Sequence, residues 1–487
     1  MTMNVALRFA ATARRMPGKT AVHDDTGSTT YRQLLGAAQA VAAAVRETTD
    51  AERVGLLAPT CAAFPAAYFG ILFADKVPVP LNFLLDAGTL GFMVRDAALD
   101  TVVATRHFQP MVEALGAKAL YVEDQTAPPA EMLVPTRGGD DLATLLYTSG
   151  TTGLPKGVVL THRNFVANVE SCLRHIGITE DWVFLGVLPF FHSFGITTSM
   201  LVPLLVGGSG AYVAKFSPQR VIEVIQAHGV NVCFAVASMF RVLMRAGEQA
   251  GVKLGSLKFA IAGGEALGAP LAARFEEIFG IPLLEGYGLT ETSPVLSVNL
   301  PERNRQGSVG PMLDWVEPRI ADDEGNPLPE GADGELWVRG DCVARGYYQR
   351  PEETAAQFTP DGWFKTGDLA RIDADRYLWI TGRKKDLIIS AGENISPNEI
   401  ESVLHQHPAV FEAAVIGVPD ERRGEVPKAF ITLREGAEAT ADDLIAFCRA
   451  RLPRYKVPVA FDFRPELPHS PTGKVHKLTL RQAEGLA

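Results

Sequence analysis

Apolar residues along the chain fall into short runs of strand length and longer stretches at helical spacing. Glycine and proline stand between them. Near the start, Leu7, Phe9, Ala10, Ala13 and Met16 recur as one packed face of a helix. Between residues 20 and 140, strand-like runs alternate with alanine-rich helical ones. Arg53–Ala58 and Thr101–Ala104 read as strands, and Phe64–Ala74 as a buried helix. That alternation predicts a sheet covered by helices. Leu142–Tyr147 and Val158–Leu160 have strand length and bulk. After them Thr161 can cap a helix in which Phe165, Val169, Cys172, Leu173 and Ile176 keep helical spacing. Further strands are expected at Val183–Leu188, Val230–Val236 and Leu257–Ala262.

From about residue 305 the texture changes. Runs such as Gly334–Arg339 and Tyr377–Thr381 sit among Gly, Pro and Asp turns, which predicts a small β-rich subdomain. Thr381–Asp386 is a charged, turn-like junction. Beyond it, Ser396-Pro-Asn-Glu399 offers a capping box with proline at the first helical position. Strands fit at Ala413–Val418 and Ala429–Leu433. A helix from Thr440 would bury Leu444, Phe447 and Leu452 and end at Pro453. The expected fold is α/β. A large multi-subdomain N-terminal domain (1–384), made of helix-covered sheets plus the β-rich subdomain, precedes a small mobile α+β C-terminal domain (386–487). The hinge falls near Lys385.

The bulk numbers agree with several buried cores. At 487 residues the chain has room for about three domain-sized units. It is 47% hydrophobic and 21% charged. A formal charge of −10 argues against a nucleic-acid binder, and leaves any polyanionic ligand to be held by local groups. Cys61, Cys172, Cys233, Cys342 and Cys448 are scattered without a C-x-x-C pair, which disfavours a disulfide framework or zinc site and fits a reducing compartment. No run reaches the roughly 18 apolar residues of a membrane span. Arg14-Arg15 is not followed by the apolar core of a signal peptide, so a cytoplasmic location is expected.

Candidate chemistry begins in the polar loop Thr148–Lys156. Hydroxyls, glycines and one lysine there suit a polyphosphate cradle. The spacing Gly150, Gly153, Lys156, with a strand following, is not that of a Walker A loop. Read alone, the same residues also suit an ordinary turn. Four other stretches share the character. Pro189–Gly195 sets His192 among aromatics, where an isolated histidine is more often a satisfied core residue. Ile261–Glu265 ends a strand in two glycines, where a flat ring could approach the backbone. Glu285–Thr292 offers an aromatic face, a hydroxyl and a carboxylate. Gly362–Asp368 places a carboxylate at a tight turn. Singly, each could be structural.

Together, and with Ser470-Pro-Thr-Gly-Lys-Val475, these motifs resemble the adenylate-forming superfamily over nearly the whole chain. That superfamily comprises acyl-CoA synthetases, adenylation domains and luciferase-like enzymes. Glu285–Pro294 and Gly382–Gly392 look most like medium- and long-chain fatty acyl-CoA synthetases. The resemblance implies an AMP-forming acyl-CoA ligase that uses ATP, Mg²⁺ and coenzyme A. Its partners would be a small carboxylic acid or, as an alternative acceptor, an acyl carrier protein.

The resemblance also implies roles. Thr148, Ser149, Gly150, Thr151, Thr152, Gly153 and Lys156 would hold the β- and γ-phosphates. Thr290 would bind the α-phosphate, and Glu291, with Thr151, the Mg²⁺. Tyr287 would stack on adenine beside Gly263, Gly264 and Glu265. Asp368 would accept the ribose hydroxyls, with Arg383 nearby. Lys474 would bridge carboxylate and α-phosphate oxygens in the first half-reaction. Rotation about Lys385 would then admit pantetheine past Gly392, and His192 and Phe194 would border the acyl pocket.

Two departures and rivals bear on substrate and acceptor. Ala237-Ser238 stands where many relatives carry a proline, which leaves aryl, short-chain and specialised acids open. The uninterrupted path from Gly340 to Arg383 favours free CoA over a carrier protein, because acyl-AMP ligases that load carriers typically have an insertion there. A P-loop kinase fails on motif spacing. A non-catalytic adenylate sensor would not need every catalytic position filled.

Overall fold

A computed structural model of the chain describes residues 2–148, 154–469 and 475–486. Ser149, Gly150, Thr151, Thr152, Gly153 and Lys474 therefore lie outside the described residues.

The largest sheet has eight strands in the order Val295–Val298, Leu283–Gly288, Phe259–Gly263, Val232–Ala235, Val183–Gly186, Ser209–Tyr212, Thr20–Asp24 and Gly27–Thr30. Its six inner strands are parallel and the two outermost antiparallel. A second sheet of four parallel strands runs Val77–Pro80, Arg53–Leu57, Thr101–Ala104, Lys118–Tyr121. Parallel strands need both faces covered. Accordingly, helix Ala63–Phe73 is buried from Phe64 through Phe73 and lies on helix Tyr31–Thr48. The approach is close: a Cβ at Gly70 would stand 2.6 Å from Val41 Cγ1, so only glycine fits there. Thr30 and Gln33 form a reciprocal cap on the partner helix.

The polar loop joins the antiparallel strands Leu142–Thr148 and Lys156–Thr161, with Thr148 opposite Lys156 in register. As expected, Thr161 caps helix His162–Ile176, its hydroxyl accepting from Asn164 N–H while Asn164 Oδ1 accepts from Thr161 N–H. The β-rich unit is a four-stranded antiparallel sheet, Glu317–Ala321, Gly334–Arg339, Phe364–Ile372, Leu378–Arg383. Among the described residues, the strands that follow pair only with one another. They are Glu393–Ile395, Ile388–Ser390, Gly424–Leu433 and Val410–Asp420, with Ala460–Phe463 parallel to Gly424–Leu433.

Two local expectations fail. The Ser396 capping box does not form, because Ser396 Oγ donates to the Thr381 carbonyl at 2.7 Å instead and Glu399 pairs with Lys456. Pro397 does occupy the first helical position. In helix Ala441–Arg449 the fully buried partner of Leu444 is Cys448, while Phe447 is half-buried. Among the described residues, no helix is long and apolar enough to cross a membrane.

Candidate active site

The carboxyl ends of the parallel strands Phe259–Gly263 and Leu283–Gly288 open into a cleft of about 1040 Å³. This is where open α/β sheets present ligand sites. The cleft is bounded by the Thr148/Lys156 hairpin, the Phe191–Phe194 turn, the β-rich sheet and Val475–His476.

Its polar end is built around Asp368, which is 2% exposed. Tyr287 Oη donates to Asp368 Oδ2 at 2.5 Å, and Arg383 Nε lies 2.5 Å from Oδ1. Asp368 and Arg383 face each other in register on adjacent strands. Burial, and then the Asp368 charge, hold the Tyr287 phenol well above its usual range. The phenol is therefore a fixed donor to Asp368. Tyr287 is flanked by glycines, and a Cβ at Gly288 would stand 1.9 Å from the Pro294 carbonyl, so no side chain could take that place.

Next along the cleft stand Thr290 and Glu291, in a short 3₁₀ turn. Thr290 Oγ1 is 3.1 Å from Ser193 Oγ, which ties this turn to the His192 segment. Tyr347 Oη donates to Glu291 Oε1 at 2.9 Å. Burial raises the Glu291 carboxyl from its ordinary value, so a cation placed here would recover a charge that the fold alone holds at a cost. Lys156 forms an ion pair with Glu353 and lies 5.5 Å from the centre of the Tyr347 ring. Glu353 belongs to a larger set: Arg350 pairs with Asp96 at 2.8 Å, and Tyr147 Oη donates to Asp96 at 2.6 Å. Together these side chains brace the base of the hairpin.

The other end is apolar. Phe194 lies against Gly263, where a Cβ would stand 2.9 Å from the ring, and meets Phe234 edge-on with centroids 5.9 Å apart. Cys172, Ile176, Phe234, Ile261, Val295 and Val298 continue the lining. The lysines and arginine that line the cleft (Lys156, Lys365, Arg383, Lys384, Lys385) belong to the hairpin, the β-rich sheet and the turn that follows it.

Thr148, Lys156, His192, Gly263, Gly264, Tyr287, Thr290, Glu291, Arg383 and Lys385 line this one cleft, with Asp368 beneath it. Glu265 does not line it; its carboxylate accepts from Ser238 N–H at 2.7 Å and so fixes the start of helix Ala237–Ala250. Gly392 is exposed at φ +85°, away from the cleft, with open space where a side chain would begin. Ser193, Tyr347, Asp96, Arg350 and Glu353 were not anticipated. They are ordinary polar residues in the sequence, and only the fold brings them to the site.

The model of the AMP-binding enzyme family matches residues 9–348, and that of the AMP-binding enzyme C-terminal domain matches residues 399–474. The chain belongs to the AMP-binding enzyme family. This AMP-binding enzyme is 33% identical to a long-chain-fatty-acid–CoA ligase of Bacillus subtilis (strain 168), over 97% of this chain and 93% of that one. It is 35% identical to a feruloyl-CoA synthase of an Amycolatopsis species, over 97% of each chain. Among solved structures it is similar to ATP-bound MatB from Rhodopseudomonas palustris, at TM-score 0.91, 31% identity and 99% coverage of both chains. The apo form of the same protein gives 0.80 at 30% identity and the same coverage. The enzyme is an acid–thiol ligase of the AMP-forming class.

Proposed function

We propose that this ligase activates a carboxylic acid with an uncharged, apolar tail, a medium- or long-chain fatty acid, and transfers the acyl group to free coenzyme A. The observation that carries this reading is the division of the cleft. The charged side chains gather at one end, and the Cys172–Ile176–Phe234–Val298 end holds no lysine or arginine among its lining residues. A second carboxylate or a sulfonate on the acid would be buried there without a counter-charge, at a cost of several kcal/mol. The edge-on pair Phe194 and Phe234 and the feruloyl-CoA synthase relative favour a second reading, an aryl acid in the same pocket.

In the first half-reaction a carboxylate oxygen attacks the α-phosphorus of ATP, and the bond to the β-phosphate oxygen breaks to release pyrophosphate. Asp368 and Tyr287 hold the nucleoside, Thr290 faces the α-phosphate, and Lys156 with the Ser149–Gly153 loop grips the leaving pyrophosphate. Positioning and charge neutralisation supply most of the acceleration in such a transfer. Mg²⁺ fits the Glu291 site as a hard cation held by one carboxylate and phosphate oxygens. No cluster of three His, Cys, Asp or Glu suited to a metal exists among the described residues, so phosphate oxygens and water would complete the ligand set beside Glu291. The ion neutralises phosphate charge when bound.

Lys474 is assigned to this step by its motif. Of the described residues nearest it in sequence, Val475 bridges His469, and Val475 and His476 line the cleft. The closer likeness to the ATP-bound than to the apo form of MatB supports reading this domain arrangement as the adenylating one. In the second half-reaction the C-terminal domain (386–487) turns about Lys385. The thiolate sulfur of CoA then attacks the acyl carbon, the bond to the AMP oxygen breaks, and Gly392 moves to the pantetheine path.

A panel of acids from C2 to C18, aryl acids and dicarboxylates tests this, with AMP release measured without acceptor, with CoA, and with a phosphopantetheinylated carrier protein. Fatty acids with CoA should dominate. A preference for malonate-like acids would overturn the apolar-tail reading, and turnover only with the carrier protein would overturn the acceptor.

A further inference from the structure

A chain of contacts runs from the large domain to the base of the Lys474 loop. On helix Ala237–Ala250, Arg241 Nη1 donates to the Phe411 carbonyl at 2.7 Å. Arg241 and Arg245, one turn apart, lie 5.2 and 5.0 Å from the centre of the Phe411 ring. Phe411 is the second residue of the long strand Val410–Asp420 of the C-terminal domain. The adjacent Glu412 meets His469 at 3.0 Å, and His469 bridges Val475 across the loop that carries Lys474. At the other end, Ser238 at the start of the same helix is held by Glu265 of the Gly-Gly-Glu turn beside the nucleotide end of the cleft. Glu412 and Glu265 are also the acidic groups whose charge acts on Arg241.

We propose that Arg241 is a positioning residue for adenylation: through Phe411 it holds the C-terminal domain against the large domain in the arrangement that keeps Val475 and His476 at the cleft, and it lets go when the domain turns. The proposal rests on the two-step reading above. A guanidinium suits the task because its planar fork bonds the carbonyl while its face packs on the ring. It also remains solvated and charged once released. Arg245 adds ring contact without the carbonyl bond, so its loss should matter less.

The test separates the half-reactions in the full-length enzyme. Arg241→Ala should lower acid-dependent ATP–pyrophosphate exchange by about tenfold or more, since charge-assisted bonds of this kind carry that much. Thioester formation from supplied acyl-AMP and CoA should stay within about threefold. Arg241→Lys should restore part of the exchange, and Arg245→Ala should cost less than Arg241→Ala. Equal loss in both half-reactions, or no loss in either, would overturn the proposal. A second measurement does not depend on the acid. In a Cys61→Ser background, spin labels at Val134→Cys and Val459→Cys, both exposed sites, report the distance between domains with ATP alone. The parent should give one narrow distance, and Arg241→Ala a broader or second one. Identical distributions would sink the latch even if the enzyme proved to act on some other acid. A wild type inactive with every acid, but with the distance shift intact, would instead count against the functional reading.

Discussion

Tyr287 and Asp368 are joined by a 2.5 Å hydrogen bond between a phenol at a glycine-flanked strand end and a carboxylate on the β-rich sheet. They stand 81 positions apart in sequence, and the bond fixes the polar end of the cleft, the end proposed to take the nucleotide. Arg383 completes the set, so Asp368 already has two partners. Removing it strands a buried phenol and a guanidinium. Asp368→Ala should weaken ATP binding by about tenfold or more and also lower the melting temperature, because charge-assisted bonds are lost on both counts. Tyr287→Phe should cost less, as the carboxylate keeps Arg383. Calorimetric titration with ATP and a thermal melt check both. Unchanged ATP affinity in Asp368→Ala would leave Asp368 as a turn residue only.

Lys156 is held by Glu353, so in its proposed role a phosphate would compete with that carboxylate. The pair is partly exposed, and such pairs are worth little. Glu353→Gln should therefore tighten ATP binding modestly, by about two- to fivefold. Lys156→Ala should weaken it. If Glu353→Gln weakens ATP binding instead, the carboxylate aims Lys156 rather than occupying it.

How much of this site could be read from the sequence follows from range. Thr148 and Lys156, Gly263 and Gly264, Tyr287 beside Gly288 and the carboxylate at Asp368 each carry their chemistry within a few residues, and the fold gathers them at one cleft. The braces do not. Arg350 and Asp96 lie 254 positions apart, Ser193 and Thr290 lie 97 apart, and Tyr347 and Glu291 lie 56 apart. No local pattern marks them. Ser396 shows the opposite failure. Its local signal is a sound capping box, but the Thr381 carbonyl, brought close by the chain reversal after the junction, takes the hydroxyl. Glu265 looked like part of the adenine turn, and the fold turns it onto a helix start.

Lys474 and Lys385 should separate the two half-reactions in opposite directions. Lys474→Ala should abolish acid-dependent ATP–pyrophosphate exchange and spare thioester formation from supplied acyl-AMP. Lys385→Pro should keep adenylation and block thioester formation, because large backbone changes concentrate at a few hinge residues. Lys385 is exposed in a short 3₁₀ turn, so solvent can satisfy its charge in either orientation. Equal loss of both activities in Lys474→Ala would contradict a two-conformation mechanism. An unaffected overall rate in Lys385→Pro would move the hinge elsewhere.

Glu285 gives a pH signature of its own. Its carboxyl sits beneath the cleft and accepts from Leu267 N–H at 3.0 Å. Burial pushes it from the usual 4.5 up to about 7, and that single hydrogen bond pulls it only partly back. Between those two values the folded chain holds a proton that the unfolded chain has released. Stability from this group is therefore fully present below pH 4.5 and is lost as pH rises toward 7, where the buried charge must be carried. The difference amounts to about 3 kcal/mol on an order-of-magnitude basis. Glu285→Gln keeps an oxygen for Leu267 N–H and cannot ionise. Relative to the parent it should gain stability steadily from pH 5 to 7.5, and the two denaturant curves should converge near pH 5. Parallel stability curves over that range would show that Glu285 is solvated or compensated in the folded protein.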